Sequence, residues 1–275
     1  MKTNIILIAL SVLLIIPNFI SWDINGKSKY NHIERFDARL SGIKSIADLE
    51  RFVDDSAASQ QINIYSEKYT ALLAYVISCR FYHGFSHFQL NENWIAAVGE
   101  KCLGYGLASK VEPEDIMQAD NAACSQQAIV MMAVLRQKNI SYRKVGFPHH
   151  YALEARIRNN WYYFDPNMEP DISLSERLHE NWKGDNDNLK KYYTAKHGNV
   201  SWQLGDGAKA KLGTANEVPA KNADLFQRST AFLSKILWCF PLFFVFARRR
   251  RPVMYAVKPI NLFPRNQNPT TVFSA

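Results

Sequence analysis

Cysteine is sparse in this sequence: Cys79, Cys102, Cys124 and Cys239 are the only four in 275 residues, and no two form a Cys-x-x-Cys pair. That spacing excludes the usual structural zinc site and a disulfide-dense scaffold. His83, His87, His179 and His197 are scattered without ligand spacing, read as surface or structural residues, and no metal or cofactor is expected. Internal repeats are absent, and low-complexity sequence is confined to Gly205–Asn222, rich in Gly, Ala, Lys and Asn. Zinc-finger spacing, basic helices and Gly-Phe-rich strands are also missing. The formal charge of +8 therefore does not imply a nucleic-acid partner.

Half of that charge comes from Arg248, Arg249, Arg250 and Arg251, which follow an apolar run. Such a cluster reads as a membrane flank. The run, Ala231 to Ala247, is AFLSKILWCFPLFFVFA, whose 17 residues are the lower limit for a span. The bland alternative is a buried or surface-lying amphipathic helix. A second apolar stretch, Ile5 to Ile20, follows Lys2 and offers no small-residue cleavage site at its exit, which favours an uncleaved signal anchor over a signal peptide. Arginines on the cytoplasmic side put residues 248–275 inside and the intervening chain in the periplasm or outside the cell, anchored in the cell (inner) membrane. Lys27, Lys29 and Arg35 oppose this mildly.

The expected organisation is an anchor or signal at 1–22, a domain at 23–204, a linker at 205–230, a transmembrane helix at 231–247 and a basic tail. From Ile43 to Ala108 apolar residues recur at helical spacing, as in Leu49, Phe52 and Val53 and again in Tyr69, Leu72, Leu73 and Val76. Asp120 and Asn121 are candidate caps for a helix over Ala122–Arg136, with Ala128, Met131 or Met132, and Leu135 as its buried stripe. Cys124 then lies in the first turn, where the helix dipole favours a thiolate. An isolated helical cysteine is more often a packing residue, so its neighbours decide.

Tyr142–Phe147, His150–Ile157 and Trp161–Asp165 read as strands. With Arg158-Asn159 as the turn, Asp165 lies opposite Ala152; with Asn159-Asn160 it lies opposite Glu154. In both registers Asp165 shares a face with His150, whereas His149 points away.

The segments NAACSQQAIVMMAVLRQKNI, SYRKVGF, HHYALEARI and NNWYYFDPN together resemble the transglutaminase-like superfamily, a branch of the papain-like cysteine enzymes. The likeness covers roughly residues 65–170. Its ordered elements are Cys124, Arg143, His150 with Glu154, Trp161, and Asp165 with Pro166; Ala123 and Ala152 depart from the pattern. The resemblance implies an α+β fold, with the cysteine helix packed on an antiparallel sheet and extra helices before it. It also implies a triad in which Cys124 attacks a carbonyl, His150 moves the proton and Asp165 orients the ring, with the Cys124 amide as a candidate oxyanion donor and Gln118 as either a second one or, the favoured reading, an exposed loop glutamine. The expected partner is a peptide, protein or other amide substrate, to be hydrolysed or to donate its acyl group. The alternative is an inactive module that binds peptide or envelope components. Glu154 either adjusts His150 or faces solvent. Cys79 and Cys102 are either bridged across 22 intervening residues, worth about 3 kcal/mol in the loop-entropy model, or free.

Overall fold

Serine caps start two of the helices that frame the cysteine helix. In the computed structural model, which describes residues 2–26, 28–31 and 34–249, the apolar α1 (Lys2–Ile15) runs into a tight turn at Ile16–Phe19. Further on, Ser45 and Ser66 accept the N3 amides of α2 (Ile46–Ser59) and α3 (Glu67–Arg80). A two-residue strand, β1 (Tyr82–His83), precedes α4 (Leu90–Leu103). α5 (Pro113–Met117) opens on proline, whose missing N–H costs nothing at that position. Then β2 (Asn121–Ala122) pairs in parallel with β1, so that Tyr82 faces Asn121 and His83 faces Ala122.

This pairing changes the start of the cysteine helix. Asn121 is in a strand, its side-chain amide donating to the carbonyls of Gly84 and Phe85, and α6 (Cys124–Gln137) begins two residues later than expected. Neither Asp120 nor Asn121 caps it. Gln126 reaches back instead, its Oε1 accepting from the Ala123 and Ser86 amides and its Nε2 donating to the Ser86 and Lys110 carbonyls. Every α6 residue from Gln126 to Leu135 is buried, so the helix has no solvent face. The expected stripe of Ala128, Met131 or Met132, and Leu135 was too narrow, because α2, α3 and α5 cover what the sheet does not.

The main sheet joins β3 (Tyr142–Gly146), β4 (Tyr151–Ile157), β5 (Asn160–Phe164) and β6 (Lys211–Leu212) in the antiparallel order β5-β4-β3-β6. Ile157 pairs with Asn160, which selects Arg158-Asn159 as the turn; φ of 50° and 72° there is the type I′ geometry that matches strand twist. At the other end of β4, Gly146 pairs with Tyr151 and the Phe147 amide donates to the His150 carbonyl, which leaves Pro148-His149 as a second two-residue turn.

Strand alternation gives the sheet two apolar faces. Leu153, Ala155 and Phe164 join the core under α6, whereas Val145, Ala152 and Tyr163 meet Trp182, Leu189, Tyr193 and Leu204. The second set comes from α7 (His179–Trp182), α8 (Asn186–His197) and α9 (Ser201–Leu204), and in α8 Leu189 and Tyr193 are one helical turn apart.

Residues 205–230, expected to be a tether, contain β6 and much of α10 (Lys221–Ile236). Polar side chains stitch α10 to the domain. Buried Asn93, where α4 departs from helical geometry, donates to the Gln227 carbonyl and the Thr230 hydroxyl, and Gln227 bonds the Leu107, Ser109 and Val111 backbone. The second apolar run divides between α10 and α11 (Cys239–Arg249), bent by 44° at a break just before Pro241. The α11 helix packs against α1, and Asn18 donates to the Ser234 carbonyl. Arg250, Arg251 and the remainder of the expected tail lie outside the described residues.

Candidate active site

Cys124 is the first residue of α6, so its amide is among those without an intrahelical acceptor, and its half-exposed side chain lines a cleft of 490 Å3. The β1–β2 pair fixes this position. His150 lies one residue before β4 and Asp165 one residue after β5, which places them at the same end of the sheet. The β4–β5 register runs on to put Asp165 opposite Ala152, and His150 is its diagonal neighbour.

His150 Nε2 is 2.6 Å from Asp165 Oδ2. The Cys124 side chain lines the same cleft and acts on the same ring, whose Nδ1 is the nitrogen that Asp165 leaves free. Three residues, 41 positions from first to last, are thereby assembled in the order sulfur, imidazole, carboxylate. No family model, curated protein or solved structure matches this chain.

Asp165 is fully buried, and its charge is met from four directions. Oδ2 accepts from His150 and, at 2.7 Å, from the Tyr193 hydroxyl; Oδ1 accepts from the Asn167 and Met168 amides at 3.1 and 2.9 Å. Tyr163 shares a hydroxyl contact of 2.6 Å with Tyr193 and extends the network into the second core. Burial alone would raise the Asp165 carboxyl, but His150, helped by these donors, outweighs it and holds the carboxyl below its usual range. For His150 burial acts downward, and the Asp165 carboxylate with the Cys124 sulfur overrides it, raising the imidazole to about 10. An imidazolium at neutral pH beside a sulfur is the result.

Gln118 is not brought to this site. It is exposed at the end of α5, donates to the Lys44 carbonyl at 2.8 Å, and lines a separate depression with Asp120 and Asn121. Neither reading of Glu154 holds. Fully buried, it accepts from Arg143 Nε at 2.7 Å, is ion-paired with Arg143 Nη2 at 2.6 Å, contacts His179 at 2.9 Å and accepts from Trp182 at 3.1 Å. Arg143 also lies 4.4 Å over the Trp161 ring. Three elements of the family-like pattern thus brace one another on the sheet, away from the sulfur. Cys79 is buried, Cys102 exposed, and both are free.

The cleft contains residues that the sequence pattern did not single out. His83, expected to be structural, lies beside Ala122 and lines the cleft with Cys124; burial keeps its imidazole below the ordinary histidine range. His149 stacks on Trp202 at 4.3 Å, and its amide donates to the Gln203 carbonyl. Gly205 makes that approach feasible: at φ +80° it admits no ordinary side chain, and a Cβ would sit 2.8 Å from Pro148 Cγ. Tyr193 was readable as an apolar-stripe residue one turn after Leu189, but nothing local points to Asp165 as its acceptor. Arg35, Lys196 and His197 arrive from distant segments and had no signal at all.

Proposed function

We propose that this chain is a transglutaminase-like cysteine enzyme, anchored in the cell membrane with its domain outside the cytoplasm, that hydrolyses amides or transfers their acyl groups. The observation that carries the reading is the His150–Asp165 bond of 2.6 Å with Cys124 on the same imidazole, all in one cleft. In the proposed cycle the Cys124 sulfur bonds to the amide carbonyl carbon, and the oxyanion is stabilised by the Cys124 N–H at the head of α6. The carbon–nitrogen bond then breaks and the His150 proton passes to the departing amine. Water or a second amine, deprotonated by the now neutral His150, attacks the thioester; the acid or new amide leaves and the thiol is restored.

The terminal helices support the anchoring. Lys2–Phe19 has the length and apolarity of a membrane span, with mean hydropathy 1.8, and the bent α10–α11 pair passes the same test jointly. Ile5, Ile6, Leu13, Phe243 and Phe246 are exposed around the α1–α11 contact, an apolar surface that lipid would cover. Asn18 donates to the Ser234 carbonyl and α1 packs on α11, so the two apolar segments lie side by side, and an anchor built of both would put the Arg248 flank on the cytoplasmic side.

Alkylation of the full-length chain in nonionic detergent tests the catalytic part. At pH 7 Cys124 is expected to react with iodoacetamide at least about tenfold faster than glutathione, with the advantage lost in His150→Ala. Slow rates equal in both proteins would return the chain to the binding-module reading.

A further inference from the structure

Two cations converge on the Cys124 cleft from elements far apart in the chain. Arg35 precedes α2 and Lys196 lies in the last turn of α8; both line the cavity that holds Cys124 and His150. Among the described residues neither side chain has a carboxylate in salt-bridge contact. Lys196 Nζ donates to the Glu169 carbonyl at 2.6 Å, and the Arg35 guanidinium lies 5.7 Å from the Tyr75 ring centre. Of the carboxylates in the same walls, Glu169 is paired with Arg177 and bonded by the Asp165 amide, whereas Glu34 accepts from the His83 amide and keeps its charge beside Arg35.

Arg35 and Lys196 are both exposed in the cleft wall, so water screens much of their repulsion, and a cleft lined by charges of one sign draws counter-ions. Burial and the neighbouring Arg35 pull the Lys196 ammonium below the ordinary lysine range. His197, next in sequence, has an Nε2 that is buried in the same region without a partner among the described residues. A bound anion would supply the salt-bridge partner that both cations lack among the described residues.

We propose that Arg35 and Lys196 form an anion subsite of the Cys124 cleft that selects acyl donors carrying a carboxylate near the scissile carbonyl. This rests on the thiol reading above and narrows its substrate class. Carboxylate recognition suits the pair, since arginine offers a planar fork and lysine a point charge.

Iodoacetate and iodoacetamide differ in charge and little in size, so their rate ratio at Cys124 reads the subsite directly. Rates are followed in the full-length protein by mass mapping of the Cys124 peptide, which separates it from exposed Cys102 and Cys239. The acetate-to-amide ratio is expected about tenfold above that of glutathione, with low salt strengthening it. Arg35→Gln and Lys196→Gln are each expected to lower it about threefold, and Lys196→Arg to retain it. The His150 imidazolium also attracts iodoacetate, so a high ratio that both Gln variants leave unchanged overturns the subsite, as does a ratio no higher than that of glutathione. Slow iodoacetamide reaction that ignores His150 is a separate result: it removes the catalytic reading, while the ratio still judges the subsite.

Discussion

His150 Nε2 lies 2.6 Å from Asp165 Oδ2, although both residues stand just outside the strands that carry them. The distance follows from a two-residue turn at the far end of the β4–β5 hairpin, because each residue of register shift would move one partner to the opposite face. The bond does two things at once. It balances a buried carboxylate and holds the ring by one nitrogen, leaving the other for sulfur.

Replacing Asp165 by Asn keeps the shape and removes the charge. Acylation of Cys124 by p-nitrophenyl acetate is expected to fall on the order of a hundredfold or more, since an amide stabilises the imidazolium poorly. Release of p-nitrophenolate in a single turnover measures it. An unchanged rate with a lowered melting temperature would assign Asp165 to closing the strand only.

The pH dependence of stability has a definite sign on each side. His150 is raised from 6.5 to about 10, so its contribution is complete below pH 6.5 and is lost as pH climbs toward 10. Asp165 is lowered from 3.8, so its contribution is present above that value and disappears as acid protonates it. Melting temperature is therefore expected to decline between pH 6.5 and 10, and His150→Gln to flatten that decline. An equal alkaline slope in both proteins would contradict the ion pair.

Tyr193→Phe removes one donor to Asp165 and leaves the Tyr163 hydroxyl without its partner. Both sites are buried, and the expected loss is about 1–3 kcal/mol in denaturant unfolding. A modest drop in Cys124 alkylation should accompany it, because the carboxylate that holds His150 is then less constrained.

Glu154→Ala strips the shared acceptor from Arg143, His179 and Trp182. Removing the buried carboxylate strands a half-buried cation and a buried indole N–H, which costs about 1–3 kcal/mol or more, so the variant should unfold at lower denaturant. In whatever fraction remains folded, Cys124 alkylation should match the parent, because Glu154 braces the sheet rather than the imidazole. A selective loss of thiol reactivity at unchanged stability would reverse that assignment.

Much of the fold was determined by local chemistry. Ser45 and Ser66 cap helices wherever the chain goes, alternation along β4 and β5 puts His150 and Asp165 on one face in either register, and the order of Cys124, His150 and Asp165 is visible without any structure. Such features depend on residues a few positions apart. What the tertiary structure decided involves partners separated by long stretches of chain. The β1–β2 pairing drew Asn121 out of the cysteine helix, Lys44 took Gln118 away from the sulfur, and α7 brought His179 and Trp182 to Glu154. Tyr193 reached Asp165 only because the second layer of helices closes over the sheet end, and Arg35 and Lys196 share the cleft although 161 positions separate them. A side chain's period along the chain tells which face it occupies; which group lies across that face is decided by packing, as the Tyr193 bond to Asp165 shows, while the Asn167 and Met168 amides reach the same carboxylate through local turn geometry.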